Sequence, residues 1–354
     1  MGGSALSGQS ALGKTGGRMT QPSMGDGFYV PAEELPHHAT FMQWPNDRRV
    51  YRDEVFLRMT QESILNIANT ISAFEPVYLM ADGAQHAALR PRLARGVELW
   101  DIPTNDLWCR DAGPLFAVND AGEMIVRGIQ FNGWGNKQPH AQDAKIAKRV
   151  AQILGLRYVP TALKGEPGGV EQDGHGLLMA HKSSWLIDNR NPNMSLDDIS
   201  GHLLAAYGAD RIIWADGVWG EDITDYHIDS LARFTGPNRA IINLPDDPDP
   251  DDPFHMAALE THDILSNAGL KLDVIPEPHT RRVASYDFLA SYANFYVCNG
   301  AVITAQYGDP DTDALAQQTL ERHYPNREVI MLNVDTLGEL GGGIHCATQQ
   351  MPKT

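Results

Sequence analysis

Apolar residues follow a helical period in three stretches of the chain. In residues 54–73, apolar side chains recur at intervals of three and four positions, which places them on one face of a helix. The same spacing is found in residues 144–156 and 256–268. The sequence therefore predicts three amphipathic helices.

Short apolar runs lie between and after these helices and predict strands. They comprise residues 77–80, 124–126, 184–187, 211–214, 240–244, 272–275, 295–297 and 329–332. Strands and helices alternate without an obvious break, which indicates an α/β protein.

Polar or glycine-rich segments interrupt this pattern about every 50 to 70 residues, which suggests repeated supersecondary units. They lie around Trp44, Asp111, 166–173, 227–229, Asn294 and Cys346. The spacing fits a closed ring of αβ units and an open sheet equally well.

Composition narrows the class of protein. With 354 residues and 42% hydrophobic residues the chain can bury a large core, and no apolar run approaches the roughly 20 residues that span a bilayer. The net charge of −17 argues against a nucleic-acid partner and favours cations. Residues 1–26 are rich in glycine and serine and lack a secretory core, so we expect a disordered extension before one domain at 27–354.

Three cysteines, Cys109, Cys298 and Cys346, are far apart and odd in number. They form neither a disulfide framework nor a close-spaced zinc motif, so a reducing, cytoplasmic setting is expected. Cys346 follows three glycines in the segment GGGIHCATQQ, whose backbone a ligand or strand can approach closely. It is a candidate nucleophile, although a free cysteine is often only a small buried hydrophobe.

Further candidates are a histidine and several carboxylates. His227 and Asp229 are two residues apart, which on a strand puts both side chains on one face; a structural histidine or a zinc ligand is the alternative. Asp111 precedes a Gly-Pro pair, so a strand end or loop is expected there, and a surface salt bridge is the alternative. Core packing is the alternative for the neighbouring Trp108.

A glycine-rich acidic segment follows at residues 166–176, and it matches no phosphate-binding fingerprint. A hairpin turn at Asp173-Gly174 is expected to place Glu166 on the incoming strand. One thiol, one imidazole and several carboxylates, without a basic cluster, indicate a planar cationic electrophile. A guanidinium fits, because carboxylates accept its paired N–H donors while its carbon stays open to attack.

The chain resembles the agmatine deiminase family of guanidine-modifying enzymes, from about Pro31 to Pro352. The resemblance is carried by MQWP at 42–45, WCRDAGP at 108–114, FNGWGNK at 131–137, NRNP at 189–192, HID at 227–229, NFY at 294–296 and GGGIHCATQQ at 341–350. It implies a pentein fold, a propeller-like ring of five αβ units around a central active-site channel. It also implies hydrolysis of agmatine to N-carbamoylputrescine and ammonia, without a metal or organic cofactor.

The resemblance also assigns roles. Cys346 is the expected nucleophile, His227 the acid and base, and Glu166 orients that histidine and contacts substrate. Asp111 and Asp229 are expected to hold the guanidinium, with Trp108 and Gly343 lining the channel. The expected partner is a small guanidino compound, with a homodimer as the commonest assembly.

Three positions depart from the family pattern: Pro167 stands after Glu166, Tyr226 where glycine is common, and Ile223 where an acidic residue is expected in some members. They leave the substrate tail open between agmatine and another alkyl- or arylguanidine. A guanidinium-binding protein and a cysteine peptidase are the alternatives from other classes, and two carboxylates facing the thiol disfavour the peptidase.

Overall fold

The computed structural model describes residues 26–285 and 288–354, so the predicted extension lies almost wholly outside the described residues. Within these ranges the chain forms sixteen strands and nine α-helical segments. In chain order they are β1 (His37–Gln43), α1 (Glu54–Ile71), β2 (Val77–Ala81), α2 (His86–Leu89), β3 (Val97–Asp101), α3 (Cys109–Ala112), β4 (Leu115–Val118), β5 (Met124–Gln130), α4 (Gly133–Asn136), α5 (Ile146–Leu154), β6 (Arg157–Lys164), β7 (Val170–Gln172), β8 (Leu177–His181), α6 (Leu196–Tyr207), β9 (Arg211–Ala215), β10 (Ala232–Gly236), β11 (Arg239–Leu244), α7 (Pro253–Asn267), β12 (Lys271–Pro276), β13 (Tyr296–Cys298), β14 (Ala301–Ala305), α8 (Pro310–His323), β15 (Glu328–Leu332), α9 (Asp335–Glu339) and β16 (Thr348–Pro352).

The strands of this described part form five small sheets with one repeated plan. In four of them two antiparallel strands are followed by a helix and a parallel third strand: β4-β5-α5-β6, β7-β8-α6-β9, β10-β11-α7-β12 and β13-β14-α8-β15. The plan explains the repeating spacing in the sequence.

The remaining sheet joins the two ends of the described chain. β16 pairs antiparallel with β1, which pairs in parallel with β2, and β3 extends the sheet. First strands of different blades also meet, since β16 lies against β4 and β7 against β10. The α/β prediction is confirmed as a five-bladed ring, and the open-sheet alternative is wrong.

The predicted helices are confirmed, with ends set by local capping. Asp53 accepts a hydrogen bond from Phe56 N and starts α1, whose buried Ile64 and Ile71 face the core. α7 begins at Pro253, earlier than predicted, because Asp252 caps it and proline suits the first turn. The buried residues of α7 begin at Ala257, so the predicted start at 256 follows the buried face and misses the first turn.

Seven of the eight predicted strands are confirmed, and the strand predicted at 184–187 is wrong. That segment is a turn after β8, in which Trp185 is fully buried and its indole N–H donates to Gly169 O at 2.9 Å. Its apolar residues serve packing between blades. A short apolar run does not distinguish such a turn from a buried strand.

Candidate active site

The connection that enters the first strand of each blade carries candidate chemistry. Asp111 precedes β4, Glu166 precedes β7, His227 and Asp229 precede β10, Asn294 precedes β13 and Cys346 precedes β16. Because these first strands lie at the middle of the ring, five distant parts of the sequence meet there. The structure therefore brings together the thiol, the imidazole and the carboxylates predicted from the sequence.

Several local predictions are corrected at these connections. Asp111 lies inside the short helix α3 rather than in a loop or at a strand end. The hairpin of β7 and β8 around Asp173-Gly174 is confirmed, but Glu166 is not on its incoming strand. Glu166 instead precedes a 3-10 turn, Pro167–Gly169, which separates it from β7.

His227 and Asp229 do not lie on a strand as predicted. His227 is extended and is followed by a 3-10 turn, Ile228–Ser230, so the two side chains are not related by strand alternation. Both are nevertheless buried at the same site. The residue pair was informative although the predicted geometry was wrong.

The Cys346 thiol is enclosed, with only 6% of the residue exposed, whereas the sequence suggested an approachable one. Asn294 contacts it twice, because Nδ2 lies 3.0 Å from Sγ while Oδ1 accepts from Cys346 N at 3.2 Å. Sγ also lies 3.5 Å from Asp229 Oδ2. Burial, with the nearby carboxylates of Asp229 and Asp111, raises the pKa of the thiol well above its usual range.

The three glycines before Cys346 have different structural reasons. Gly341 has φ +80°, a left-handed conformation that favours glycine. A Cβ at Gly342 would collide with the Trp108 ring, and one at Gly343 would lie 2.5 Å from Asn294 Oδ1. The predicted close approach to the glycine backbone is therefore confirmed: the Trp108 indole packs on Gly342 and the Asn294 amide packs on Gly343.

His227 is held between carboxylates. Its Nε2 lies 3.2 Å from Glu166 Oε2 and its Nδ1 lies 3.7 Å from Asp111 Oδ1. Burial opposes protonation of the ring, but the charge of Asp111 and the hydrogen bond and charge of Glu166 outweigh it and raise the pKa of His227 to about 9. The ring is therefore a cation at neutral pH, with Nδ1 available to the site.

A buried arginine fixes Glu166. Arg190 is fully buried, and its Nε donates to Glu166 Oε1 and Oε2 at 3.1 and 2.9 Å. Its Nη1 donates to Asp225 Oδ2 at 2.6 Å, and Lys137 Nζ donates to the same oxygen at 2.8 Å. The charge on Glu166 is thus compensated on one side while Oε2 still reaches His227.

Each of the two aspartates keeps one oxygen without a partner. Within the described ranges, Asp111 Oδ1, Asp229 Oδ1 and His227 Nδ1 are buried atoms without a hydrogen-bond partner. The second oxygen of each aspartate is engaged: Trp134 Nε1 donates to Asp111 Oδ2 at 2.9 Å, and His345 Nδ1 lies 2.7 Å from Asp229 Oδ2. Buried unpaired groups are costly, so the neighbouring atoms Asp111 Oδ1 and His227 Nδ1 indicate a place for a polar ligand.

The two aspartates differ in charge behaviour. Burial, and repulsion from Asp229 and Glu166, raise the pKa of Asp111 to about 6, although His227 opposes the shift. Burial also disfavours the Asp229 anion, but the hydrogen bond and charge of His345 outweigh it and lower that pKa. Asp229 is therefore the permanent anion of the pair.

Gly168 lies beside Asp111, His227 and Asp229. A Cβ at this position would lie 2.5 Å from Asp111 Oδ1, 3.0 Å from His227 Nδ1 and 3.2 Å from Asp229 Oδ2. Glycine here leaves room between a base and two carboxylate oxygens. Gly168 was not assigned a role from the sequence, although the EPGG segment that contains it signalled a close backbone approach.

The three departures from the family pattern are accommodated differently. Tyr226 has φ 64°, which explains a glycine at this position, but its ring stacks on His181 at 4.7 Å. The Tyr226 ring also meets Phe254 edge-on, so it packs between these two rings. Pro167 begins the 3-10 turn, where a proline is tolerated, and Ile223 packs against the core cluster that contains Trp108.

Sequence reasoning gave no role to Asn294, Arg190 or Trp134, although all three lie in the quoted motifs. Each is buried and contacts a candidate residue through a side-chain donor. Trp134 stands between two glycines, which was a local signal, whereas Asn294 and Arg190 have no glycine or proline beside them. In the part of the chain that the structure describes, no cluster of three His, Cys, Asp or Glu side chains is arranged for a metal ion, and no helix has the length and apolarity to cross a membrane.

A five-bladed ring with a thiol, an imidazole and free carboxylates at its centre defines a guanidine-modifying hydrolase of the pentein type. The sequence model of the family described as Porphyromonas-type peptidyl-arginine deiminase matches residues 29–352. The chain belongs to this family and is a deiminase, a hydrolase that acts on carbon–nitrogen bonds. The resemblance to agmatine deiminases drawn from the motifs is thereby confirmed.

Individual relatives agree with this assignment. A Streptomyces coelicolor protein named "Putative agmatine deiminase" is 32% identical over 338 residues, which cover 92% of this chain and 99% of that protein. The structure of the agmatine deiminase of Enterococcus faecalis is 27% identical, with a TM-score of 0.84 and coverage of 93% of this chain and 96% of its own. DDAH from Pseudomonas aeruginosa, 11% identical with a TM-score of 0.53 and coverage of 90% and 100%, shares the fold.

Proposed function

We propose that this deiminase hydrolyses agmatine to N-carbamoylputrescine and ammonia through a covalent intermediate on Cys346. The observation that carries the proposal is the pair of buried, unpartnered atoms Asp111 Oδ1 and His227 Nδ1, which lie beside Asp229 Oδ2 in the space next to Gly168. Carboxylate oxygens suit the N–H groups of a planar guanidinium. The Cys346 thiol stands beside the Asp229 carboxylate, with Sγ 3.5 Å from Oδ2.

The first half of the proposed reaction forms a carbon–sulfur bond. As the guanidinium cation binds, the Cys346 thiol releases its proton to water. The thiolate then attacks the guanidinium carbon, and His227 as a cation donates its Nδ1 proton to the departing nitrogen, so that ammonia leaves. The intermediate is a thiouronium on Cys346. Asp111 and Asp229 hold the remaining N–H groups, which keeps the carbon in line with the thiol.

In the second half of the proposed reaction, water hydrolyses the carbon–sulfur bond of the intermediate. Neutral His227 takes a proton from water, the hydroxide adds to the thiouronium carbon, and the thiol leaves as the ureido product forms. Glu166, anchored by Arg190, keeps the imidazole in place for both transfers. The chain's own residues thus supply each proton transfer in this scheme.

The nature of the substrate tail rests on the positions around His227. Tyr226 turns away toward His181 and Phe254, so it leaves room for a slender alkyl tail. Ile223 favours an apolar tail instead, because it is partly buried against the cluster of Trp108 and Trp134 and offers no charge to a distal amine. An alkyl- or arylguanidine with an apolar tail is therefore the second candidate.

A panel of guanidines tests the proposal directly. Ammonia and ureido product are measured with agmatine, arginine, apolar alkylguanidines, an arylguanidine and a peptidyl-arginine. Agmatine is expected to give the highest kcat/KM, with one ammonia per ureido product. Faster turnover of an apolar guanidine would replace agmatine by the second candidate, and equal amounts of product from a Cys346→Ala variant would overturn the covalent step.

A further inference from the structure

His345 adjoins the candidate nucleophile in sequence, yet its ring faces two carboxylates. Nδ1 lies 2.7 Å from Asp229 Oδ2 and Nε2 lies 3.1 Å from Glu33 Oε2. The side chain is only 3% exposed. An ionised carboxylate only accepts hydrogen bonds, so both contacts are satisfied at once when both ring nitrogens carry hydrogen.

The far end of this arrangement is anchored by arginines. Glu33 Oε2 accepts from Arg110 Nη2 at 3.0 Å, while Oε1 lies 3.0 Å from Arg233 Nη2 and accepts from Val297 N at 2.9 Å. Burial disfavours the Glu33 anion, but Arg233, His345 and Arg110 hold its pKa well below its usual range. The imidazole is therefore bound at Nε2 by a carboxylate that cannot easily move or lose its charge.

A second acid also faces Nε2. Glu171 Oε1 lies 3.8 Å from it and is held by Arg233 Nε at 2.6 Å. Glu33 and Glu171 thus share one arginine behind the His345 ring. On the opposite edge of the ring, Asp229 and the Cys346 thiol follow in turn.

The contact from His345 holds the Asp229 oxygen that lies beside the thiol. This oxygen is Oδ2, 3.5 Å from Cys346 Sγ, whereas Oδ1 is a buried atom without a partner among the described residues. In Asp111 the corresponding oxygen, Oδ2, accepts from the indole N–H of Trp134. An indole is a neutral donor, so it compensates less of the carboxylate charge than a cationic donor would. Asp111 and Asp229, the two carboxylates proposed to hold the guanidinium, are thus supported by different donors.

We propose that His345 is a positioning residue that acts through Asp229, holding its carboxylate beside the Cys346 thiol and fixing the affinity of the site for the guanidinium cation of the substrate. The inference rests on the proposed guanidinium site. It assigns to the residue before the nucleophile a role in binding, separate from the covalent step. Glu33 is the anchor of this arrangement.

Two substitutions of His345 test the contacts of its two ring nitrogens separately. Asparagine at 345 places an amide N–H near the position of Nδ1 and keeps a donor to Asp229, whereas glutamine places it near Nε2 and keeps a donor to Glu33. Both are prepared in the full chain with Cys346→Ala, and the Kd of agmatine is measured by calorimetry. Thermal denaturation of each variant reports folding.

The expected result is an order of affinities. His345→Gln is expected to weaken agmatine binding about 10- to 100-fold, as for a lost charge-assisted hydrogen bond, and His345→Asn to stay within about threefold of the parent. In an Asp229→Asn background, His345→Gln is expected to add nothing, because the interaction partner is already neutral. When His345→Gln is made in the chain that retains Cys346, we expect its KM to rise by a larger factor than its kcat falls, relative to the unsubstituted enzyme.

Equal losses in the two variants, a larger loss in His345→Asn, or additive losses with Asp229→Asn would overturn the inference. If His345→Gln does not fold, the His345→Asn variant decides: affinity near the parent supports the inference, and a loss equal to that of Asp229→Asn refutes it. Absence of guanidine turnover in the unsubstituted enzyme would instead refute the proposed function.

Discussion

Asn294 binds both the side chain and the backbone of Cys346, with Nδ2 3.0 Å from Sγ and Oδ1 3.2 Å from the amide nitrogen. Its Nδ2 also lies 3.2 Å from the carbonyl oxygen of Asp229. The amide thus ties the thiol to the segment that carries one of the two clamp carboxylates.

Replacing Cys346 by alanine is expected to lower kcat by about a thousandfold or more while agmatine still binds, because the carboxylate clamp remains. Steady-state ammonia release and calorimetry with agmatine measure the two effects. Cys298→Ala is the matched control, since Cys298 is also a buried free thiol but lies in β13. Normal turnover in the Cys346 variant would remove the thiol from the mechanism.

Substrate binding is expected to lower the pKa of the Cys346 thiol. In the free protein burial and the carboxylates of Asp229 and Asp111 raise it, and a bound cation compensates those charges. Thiolate absorbance, taken as the difference between the unsubstituted protein and Cys346→Ala, is titrated with and without a non-reactive guanidinium. An unchanged apparent pKa would contradict substrate-assisted ionisation.

The pH profile of kcat/KM is expected to be bell-shaped. With the pKa of Asp111 at about 6, protonation below this pH removes one acceptor and weakens guanidinium binding. With the pKa of His227 at about 9, deprotonation above this pH removes the general acid. Activity is therefore expected between these two values. An acid limb that persists unchanged in Asp111→Asn would assign that limb to another group.

Gly168→Ala is expected to lower kcat/KM about 100-fold or more with the fold retained, because the added methyl group occupies the space before Asp111, His227 and Asp229. The backbone at Gly168 is not left-handed, so alanine adds bulk without conformational strain. Gly201→Ala is the control, because its Cβ meets nothing within 4 Å. Equal activity of the two variants would refute the placement of the guanidinium.

Tyr226→Phe is expected to leave kcat/KM unchanged and to cost under about 1 kcal/mol of stability, since the hydroxyl makes one long contact of 3.5 Å to Phe254 O. Activity assays and chemical denaturation measure both quantities. A large rise in KM would mean that this side chain reaches the substrate after all.

The sequence allowed the fold class and the main candidate residues to be predicted, because helix periodicity and the recurring glycine-rich connections are local signals. The strand predicted at 184–187 was wrong because Trp185 is buried by packing between blades, which a single run of residues does not reveal. Arg190 and His345 were missed for a related reason. Each matters through a carboxylate far away in the sequence, and only the closed ring brings the partners together.

The pairing of β16 with β1 has a consequence for synthesis of the protein. The loop that carries Cys346 leads directly into β16, so the thiol takes its place only when a late segment of the chain has docked on an early one. The segments that carry the carboxylates and the imidazole are therefore all synthesised before the thiol segment. A fragment that ends before β16 lacks this pairing, so it is expected to be inert.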